Sequence, residues 1–476
     1  MTTIIDAFDE AVLAHGQRPA ILEGSGKSAT YQELDQLGRA YAAGFEGRGI
    51  GPGDRVLVAM PVGIALYACL AALWRLGAVV VFPEPAMGLK GLRHAVRATQ
   101  PKAFLASGWY RWLGWLLPEL RRLRLRLIPR EAKAGWSATY RVGPDEPALI
   151  SFTSGSTGAP KAIARSHAFM MAQNEAIRPL LDQGSEGARD LVAFPVFVLV
   201  SLSLGITSVL PGWKLSRHDR VTAQTIHRQI KQFGVTRLLV PPVICETLSR
   251  AATLPKLDAI FTGGGPVFPD TLARLADLQP DLRMVSVYGS TEAEPIAHLD
   301  YEAISGSDLD AMKTGGGLLA GQPVEPIDVR LEDREILVAG PHVNESYLDM
   351  SQNADTKVER EGRVWHRTGD AGRFDSQGRL WLLGRHNAQV AGIHPFAVET
   401  AARFWPGADR SALAEMDGKP VLAISGDTRC LDQWRQAAKR LGVDDVRCVD
   451  AIPLDSRHRS KTDYVALKRV LEAGAG

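Results

Sequence analysis

Apolar positions in the first part of the chain switch between two periods. Residues 31–45, YQELDQLGRAYAAGF, place them at helical spacing, and residues 64–76 do the same until Gly77. The short unbroken runs RVLVAM (55–60) and AVVVF (78–82) predict buried strands. The first is entered through Gly53 and Asp54, and the second stops at Pro83. Helices alternating with such strands predict a parallel α/β architecture.

The pattern continues through TRLLV (236–240), DAIF (258–261) and MVSVY (284–288). Each run leads into a loop rich in Pro or Gly: PPV, TGGGPV and YGSTE. Ligands of open α/β sheets bind beyond the carboxyl ends of the strands, so three such loops can converge on one ligand. From Glu335 the pieces become short and strand-like, EILVA, VWH and GRLWLL, which predicts a small β-rich lobe and then a separate C-terminal domain.

Two stretches admit two readings each. Residues 191–210, LVAFPVFVLVSLSLGITSVL, carry no charge and have the length of a membrane span. Pro195 and Gly205 interrupt them, so a buried strand, loop and helix start is the simpler expectation, and an integral membrane protein is not expected. Residues 109–130, WYRWLGWLLPELRRLRLRLIPR, combine three tryptophans with a basic run. The alternation of 122–128 predicts a strand with one solvated face after a packed helix. The other reading is a basic, aromatic surface for lipid or a partner protein.

Composition narrows the field. The chain has 476 residues, enough for two or three domains, and a formal net charge of +2, which points to neither nucleic acid nor membrane. Cys69, Cys245, Cys430 and Cys448 are too scattered for a zinc knuckle or a disulfide framework. The N-terminus, MTTIIDAFDEAVLAHG, lacks a basic region followed by an apolar run, so a cytoplasmic protein is expected.

The chemistry begins at SFTSGSTGAPK (151–161). Gly155 and Gly158 let backbone N–H groups approach an anion. Thr153, Ser154, Ser156 and Thr157 add hydroxyl donors, and Lys161 adds a point charge. Pro160 before the lysine and Ala162 after it exclude a Walker P-loop. Farther on, Tyr288, Gly289, Ser290, Thr291 and Glu292 offer an aromatic face, two hydroxyls and a carboxylate suited to Mg²⁺. In HRTGD (366–370), Asp370 follows a tight turn and suits a pair of ribose hydroxyls.

In this order the motifs resemble the adenylate-forming superfamily of acyl-CoA synthetases, luciferases and peptide-synthetase adenylation domains, over nearly the whole chain. The resemblance implies a large, multi-sheet α/β N-terminal domain (1–383) with layered subdomains and a β-rich lobe, and a small mobile α+β C-terminal domain (384–476). It implies ATP and Mg²⁺ as cofactors and a small carboxylic acid as substrate. SFTSGSTGAPK would be the phosphate loop. Tyr288 would stack near adenine, with Thr291 and Glu292 serving phosphate and Mg²⁺. Gly264, Gly265 and Pro266 in FTGGGPV would form the adenine-side loop, Asp370 would bind ribose, and Arg385 would mark the hinge. Lys461 would be the catalytic lysine, with Lys468 as the alternative.

The chain departs from the usual ligase. Asn387 stands where an acid is common after the hinge, and Gln389 where a lysine is common. FPVF (194–197) lacks the histidine of the acyl pocket, leaving Phe194, Val196 and Phe197 as an apolar wall. These departures argue against transfer to CoA. FPEPAMGLKGL (82–92), GRLWLLGR (378–385), RSAL (410–413) and PLDSRH (453–458) are similar to the β-lactone synthetase branch of olefin biosynthesis. That branch adenylates a 2-alkyl-3-hydroxy acid whose own hydroxyl displaces AMP. A ligase joining a fatty or aryl acid to CoA or a carrier protein is the alternative. A nucleotide-binding protein without catalysis is a third reading.

Overall fold

The computed structural model describes residues 2–83, 88–132, 139–153, 160–184, 186–455 and 461–473, with Asp219 by its backbone alone. The chain is mixed α/β and divides into two compact units. The first combines Met1–Leu215, Arg228–Leu239 and Pro341–Lys357; the second combines Ser216–His227, Val240–Gly340 and Val358–Gly476.

In the first unit, Leu125–Leu127, Ala103–Ala106, Arg55–Ala59, Val79–Val81 and Pro147–Thr153 lie side by side in parallel. Lys161–Ser166 closes this sheet as an antiparallel edge. Val79–Val81 and Ala103–Ala106 are buried throughout, as strands covered on both faces must be. A second run orders Arg237–Val240, Arg189–Val192, Thr207–Leu210 and Pro19–Glu23 in parallel, with Ser28–Thr30 folded back on the last.

The helices Ile4–His15 and Tyr31–Glu46 each start at a threonine, Thr3 and Thr30, whose hydroxyl accepts from the third helical N–H while the acid there reaches back. Arg75, fully buried at the end of Ile64–Arg75, joins all three helices through Asp9 and Asp35. Arg237 and Asp190, 1% and 0% exposed, form a two-pronged pair at 2.7 and 2.8 Å. A buried charge without such a partner would be strongly destabilising.

The 191–210 stretch is strand Arg189–Val192, helix Pro195–Ser203 and strand Thr207–Leu210. Pro195 stands at the first helical position, and Gly205 takes φ +72 beyond the helix end. Among the described residues no helix is long and apolar enough to cross a membrane.

The 109–130 segment departs from the expected packed helix, while its strand, though short, has the expected solvated face, with Arg126 exposed and Leu127 buried. It forms a 3-10 turn (Gly108–Trp112), two short α turns (Leu113–Leu116 and Pro118–Arg121) and a three-residue strand, Leu125–Leu127. Leu113, Leu117 and Leu120 fill the core, whereas Leu116 and the tryptophans face outward.

The second unit carries an antiparallel run ordered Asp328–Glu332, Glu335–Ala339, Arg363–Phe374, Leu380–Arg385, Leu318–Pro323, Ala293–Asp300 and Arg283–Ser290. Ala259–Gly263 pairs in parallel with Arg283–Ser290. The β-rich lobe read from residue 335 onward belongs to this larger sheet.

A separate three-stranded sheet, Ala408–Met416, Lys419–Gly426 and Asp445–Cys448, packs with helices Pro395–Ala402, Leu431–Arg440 and Tyr464–Ala473. One core around Trp434 and another around Leu467 are built wholly from residues after 390. Arg403, nearly buried, fastens this layer to the rest of its unit by a two-pronged pair with Asp270 at 2.8 and 2.9 Å. Arg410 adds a pair with Glu246.

Candidate active site

In the first unit, the strands Pro147–Thr153 and Lys161–Ser166 bring Thr153 and Lys161 into register as partners. They hold the two ends of the hydroxyl-rich loop. Ser154, Gly155, Ser156, Thr157 and Gly158 lie outside the described residues. The hydroxyls of Ser151 and Thr153 are buried and have no hydrogen-bond partner among the described residues. Such groups are costly to bury unless something accepts or donates to them.

Lys161 is buried with its ammonium 4.9 Å from the ring centre of Tyr347, and Lys357 approaches the same ring at 5.1 Å. The segment bearing Tyr347 is fixed by the Leu348 N–H, which donates to the Ala162 carbonyl at 2.9 Å, and by an antiparallel bridge between Ile163 and Tyr347. Two cations therefore converge on one aromatic ring. Tyr347 and Lys357 were not read from the sequence, because nothing local in NESYLD marks the ring as a platform for a lysine so far upstream.

In the second unit, parallel pairing puts Gly263 opposite Val287. The Gly264–Gly265–Pro266 turn and the Tyr288–Glu292 motif therefore leave the same edge of neighbouring strands. A Cβ on Gly263 would stand 2.5 Å from the Val287 carbonyl oxygen, so only glycine allows this spacing.

The strand Arg283–Ser290 runs farther than the sequence suggested and turns back through Thr291 and Glu292 into Ala293–Asp300. Glu292 is thus at the tip of a tight hairpin. Thr291 and Glu292 are both partly exposed there. The Ser290 hydroxyl is buried with no hydrogen-bond partner among the described residues.

The centre of this half is Asp370. Its neighbour Arg385 is its partner in the strand register, and the guanidinium donates to one carboxylate oxygen at 2.9 Å. Tyr288 donates its O–H to the other oxygen at 2.8 Å. Burial, and then the Asp370 charge, push the Tyr288 phenol well above its ordinary range, so it stays a donor. The Thr368 hydroxyl accepts the Asp370 N–H at 3.1 Å, and Arg385 also donates to the Thr368 carbonyl. Gly369 has φ +72 and lies under the Arg385 guanidinium. The carboxylate is fixed in orientation, and each oxygen keeps a further lone pair for an incoming donor.

Lys461 is carried by different elements of the same unit. It is exposed. Its N–H donates to the Asp455 carboxylate at 3.2 Å, and its carbonyl accepts from the Asp455 N–H at 2.8 Å. With the bridge between Leu454 and Thr462, these bonds pin the ends of the segment 456–460, itself outside the described residues, so that Lys461 stands at its base. Lys468 is exposed on helix Tyr464–Ala473.

Phe194 caps the helix Pro195–Ser203 and meets Phe197 edge-on, with ring centres 5.7 Å apart; Val196 lies between them, partly exposed. Asn387 lies in a 3-10 turn, His386–Ala388, after Arg385, and Gln389 follows it directly. Of the 82–92 run, residues 84–87 lie outside the described residues.

The family described as AMP-binding enzyme matches residues 8–348. The chain belongs to this family. It is an adenylate-forming enzyme, and Asp370, Arg385 and Lys461 lie beyond the matched stretch. An olefin β-lactone synthetase of Stenotrophomonas maltophilia is 30% identical, covering 95% of this chain and 93% of that protein. A second olefin β-lactone synthetase, from Xanthomonas campestris pv. campestris, is 32% identical over 83% of this chain and 80% of that protein. Among solved structures, the O-succinylbenzoate coenzyme A synthetase of Bacillus subtilis in complex with ATP and magnesium shares the fold. Its TM-score is 0.78 at 20% identity, covering 97% of this chain and 99% of that one.

Proposed function

We propose that this AMP-binding enzyme adenylates a 2-alkyl-3-hydroxy carboxylic acid and closes it to a β-lactone. The acid's carboxylate oxygen attacks the α-phosphorus of ATP, and the bond to the β-phosphate breaks, releasing pyrophosphate. The substrate's 3-hydroxyl oxygen then attacks the acyl carbon, its proton is lost to solvent, and AMP leaves with the bridging oxygen. The observation that carries this reading is the near full-length likeness to the Stenotrophomonas β-lactone synthetase.

The residues divide the work by chemistry. The Asp370 carboxylate, held by Tyr288 and Arg385, would accept from both ribose hydroxyls. The loop bounded by Thr153 and Lys161 would bind phosphates, and the buried hydroxyls of Ser151 and Thr153 on the strand leading into it, without a hydrogen-bond partner among the described residues, suit that task. Glu292 and Thr291 present hard oxygen donors, which fit Mg²⁺ sharing its coordination with phosphate oxygens and water. The ion would supply charge neutralisation at the phosphates. Lys461 would balance the two anions that must meet. Phe194, Val196 and Phe197 would face an alkyl chain, with 1–383 binding ATP and acid and 384–476 moving Lys461.

The test is a panel of plain fatty acids and 2-alkyl-3-hydroxy acids with ATP and Mg²⁺, each with and without CoA, read by mass spectrometry. Lactone and AMP from the hydroxy acids alone are expected. A thioester from plain acids, with AMP release dependent on CoA, would replace this reading with the acid–CoA ligase.

A further inference from the structure

The turns at 108–121 expose their tryptophans in a row. Trp109, Trp112 and Trp115 recur every third residue through a 3-10 turn and the α turn that follows it. Side chains three apart in a 3-10 helix eclipse one another. The three indoles are 61%, 68% and 64% exposed, and Leu116 beside them is 72% exposed. The other side of the same segment is core: Leu113, Leu117 and Leu120 pack with Phe104 and its neighbours. Tryptophan is highly buried on average, so three exposed in seven residues mark an interaction surface.

The charge around them is one-sided. Residues 108–130 contain six arginines, at 111, 121, 122, 124, 126 and 130, against the single acid Glu119. That acid is already matched by Arg97 at 3.1 Å and Arg93 at 3.7 Å from helix Gly88–Thr99. Arg126 lies over the Trp115 ring at 4.8 Å, which joins the basic and aromatic groups into one patch.

We propose that this face docks the enzyme on the surface of an anionic phospholipid bilayer. Indole rings settle at the level of the headgroups, where one edge meets acyl chain and the other meets water. Arginines around them pair with lipid phosphates. Charge complementarity selects an acidic membrane. The inference does not depend on which acid the enzyme activates.

The test is sedimentation of the full-length protein with vesicles of phosphatidylcholine alone, or with roughly one third phosphatidylglycerol, at low and high salt. Binding to the anionic vesicles at low salt, weakened by salt, is expected. Replacing Trp109, Trp112 and Trp115 by Ser together, or Arg121 and Arg122 by Gln, lowers the partition coefficient roughly tenfold or more. Thermal unfolding and acid-dependent pyrophosphate release in vesicle-free buffer stay unchanged. The proposal is overturned if the wild type stays in solution with both vesicle types, or if the tryptophan variant binds as the wild type does. It is also overturned if the patch variants alter only self-association or the capture of a partner protein.

Discussion

Tyr288 donates its phenolic O–H to Asp370 at 2.8 Å, across strands that are remote in sequence. The bond aims the carboxylate, with Arg385 on its other oxygen. A ribose bound there gains two charge-assisted hydrogen bonds, each stronger than a neutral one. Asp370→Asn keeps the shape but replaces one acceptor by a donor. We expect ATP affinity to fall by about 10- to 100-fold, and Tyr288→Phe, which removes only the aiming bond, to weaken it a few-fold. Calorimetric titration with ATP and Mg²⁺ measures both, and unaltered affinity in Asp370→Asn would refute the ribose role.

Lys461 gives a different signature. Its proposed task is to stabilise charge as the carboxylate approaches the α-phosphate, a contribution made in the transition state. Lys461→Ala should therefore lower acid-dependent pyrophosphate release by about 100-fold or more while ATP binding stays within a few-fold. Lys468→Ala should leave both intact. Equal release by wild type and Lys461→Ala would remove the lysine from the mechanism.

The Arg403–Asp270 pair bears on how the layer after residue 390 is held. Both prongs are short and the guanidinium is almost fully buried, but Asp270 also pairs with Arg274 at 2.8 Å, so removing Arg403 costs about 1.5–3 kcal/mol rather than the full penalty of an unpaired buried charge. If 384–476 moves during the reaction, this pair must open. Arg403→Ala should then raise tryptic cleavage after Arg385 by about tenfold or more. Cleavage at the wild-type rate would mean that the pair does not govern access to the hinge.

Much of this arrangement could be read from the chain because strands and their exit loops are local signals. AVVVF and DAIF appear as strands trimmed or extended by a residue or two, and EILVA as a strand of the same bounds. The Gly264–Pro266 and Tyr288–Glu292 loops are neighbours because their strands pair in parallel.

What escaped the sequence depends on distant partners. The return strand after Glu292 is hidden because the consecutive Pro295, Ile296 and Ala297 obscure its alternation. The Tyr347 platform exists only because a remote segment bridges to Ile163. Of the two readings of 109–130, a packed helix and an aromatic surface, the outward tryptophans fit the second. The core beside them is already filled by Phe104, Leu113 and Leu120, so an indole repeat of three meets solvent instead.

Glu399 supplies a pH-dependent test of the layer that carries Lys461. It is buried under the helix Tyr464–Ala473, where its carboxyl accepts the Leu413 N–H at 2.9 Å and the Tyr464 O–H at 3.0 Å. Burial outweighs both bonds and raises its pKa from 4.5 to about 7. The folded state therefore keeps a proton that the unfolded chain has lost, and between these two values stability falls as pH rises. The stabilisation is complete below pH 4.5 and gone above about 7. Over that window it amounts to at most about 3 kcal/mol. Glu399→Gln carries a neutral side chain of the same size and lacks this slope. Amide-exchange protection across Ala408–Met416, corrected for the intrinsic rate at each pH, should decline in the wild type from pH 5 to pH 8 relative to the variant, roughly tenfold per unit near the middle of the range. Parallel profiles for the two proteins would show that the carboxyl is already ionised in the fold. In that case Tyr464 would anchor the helix beside Lys461 equally at every pH.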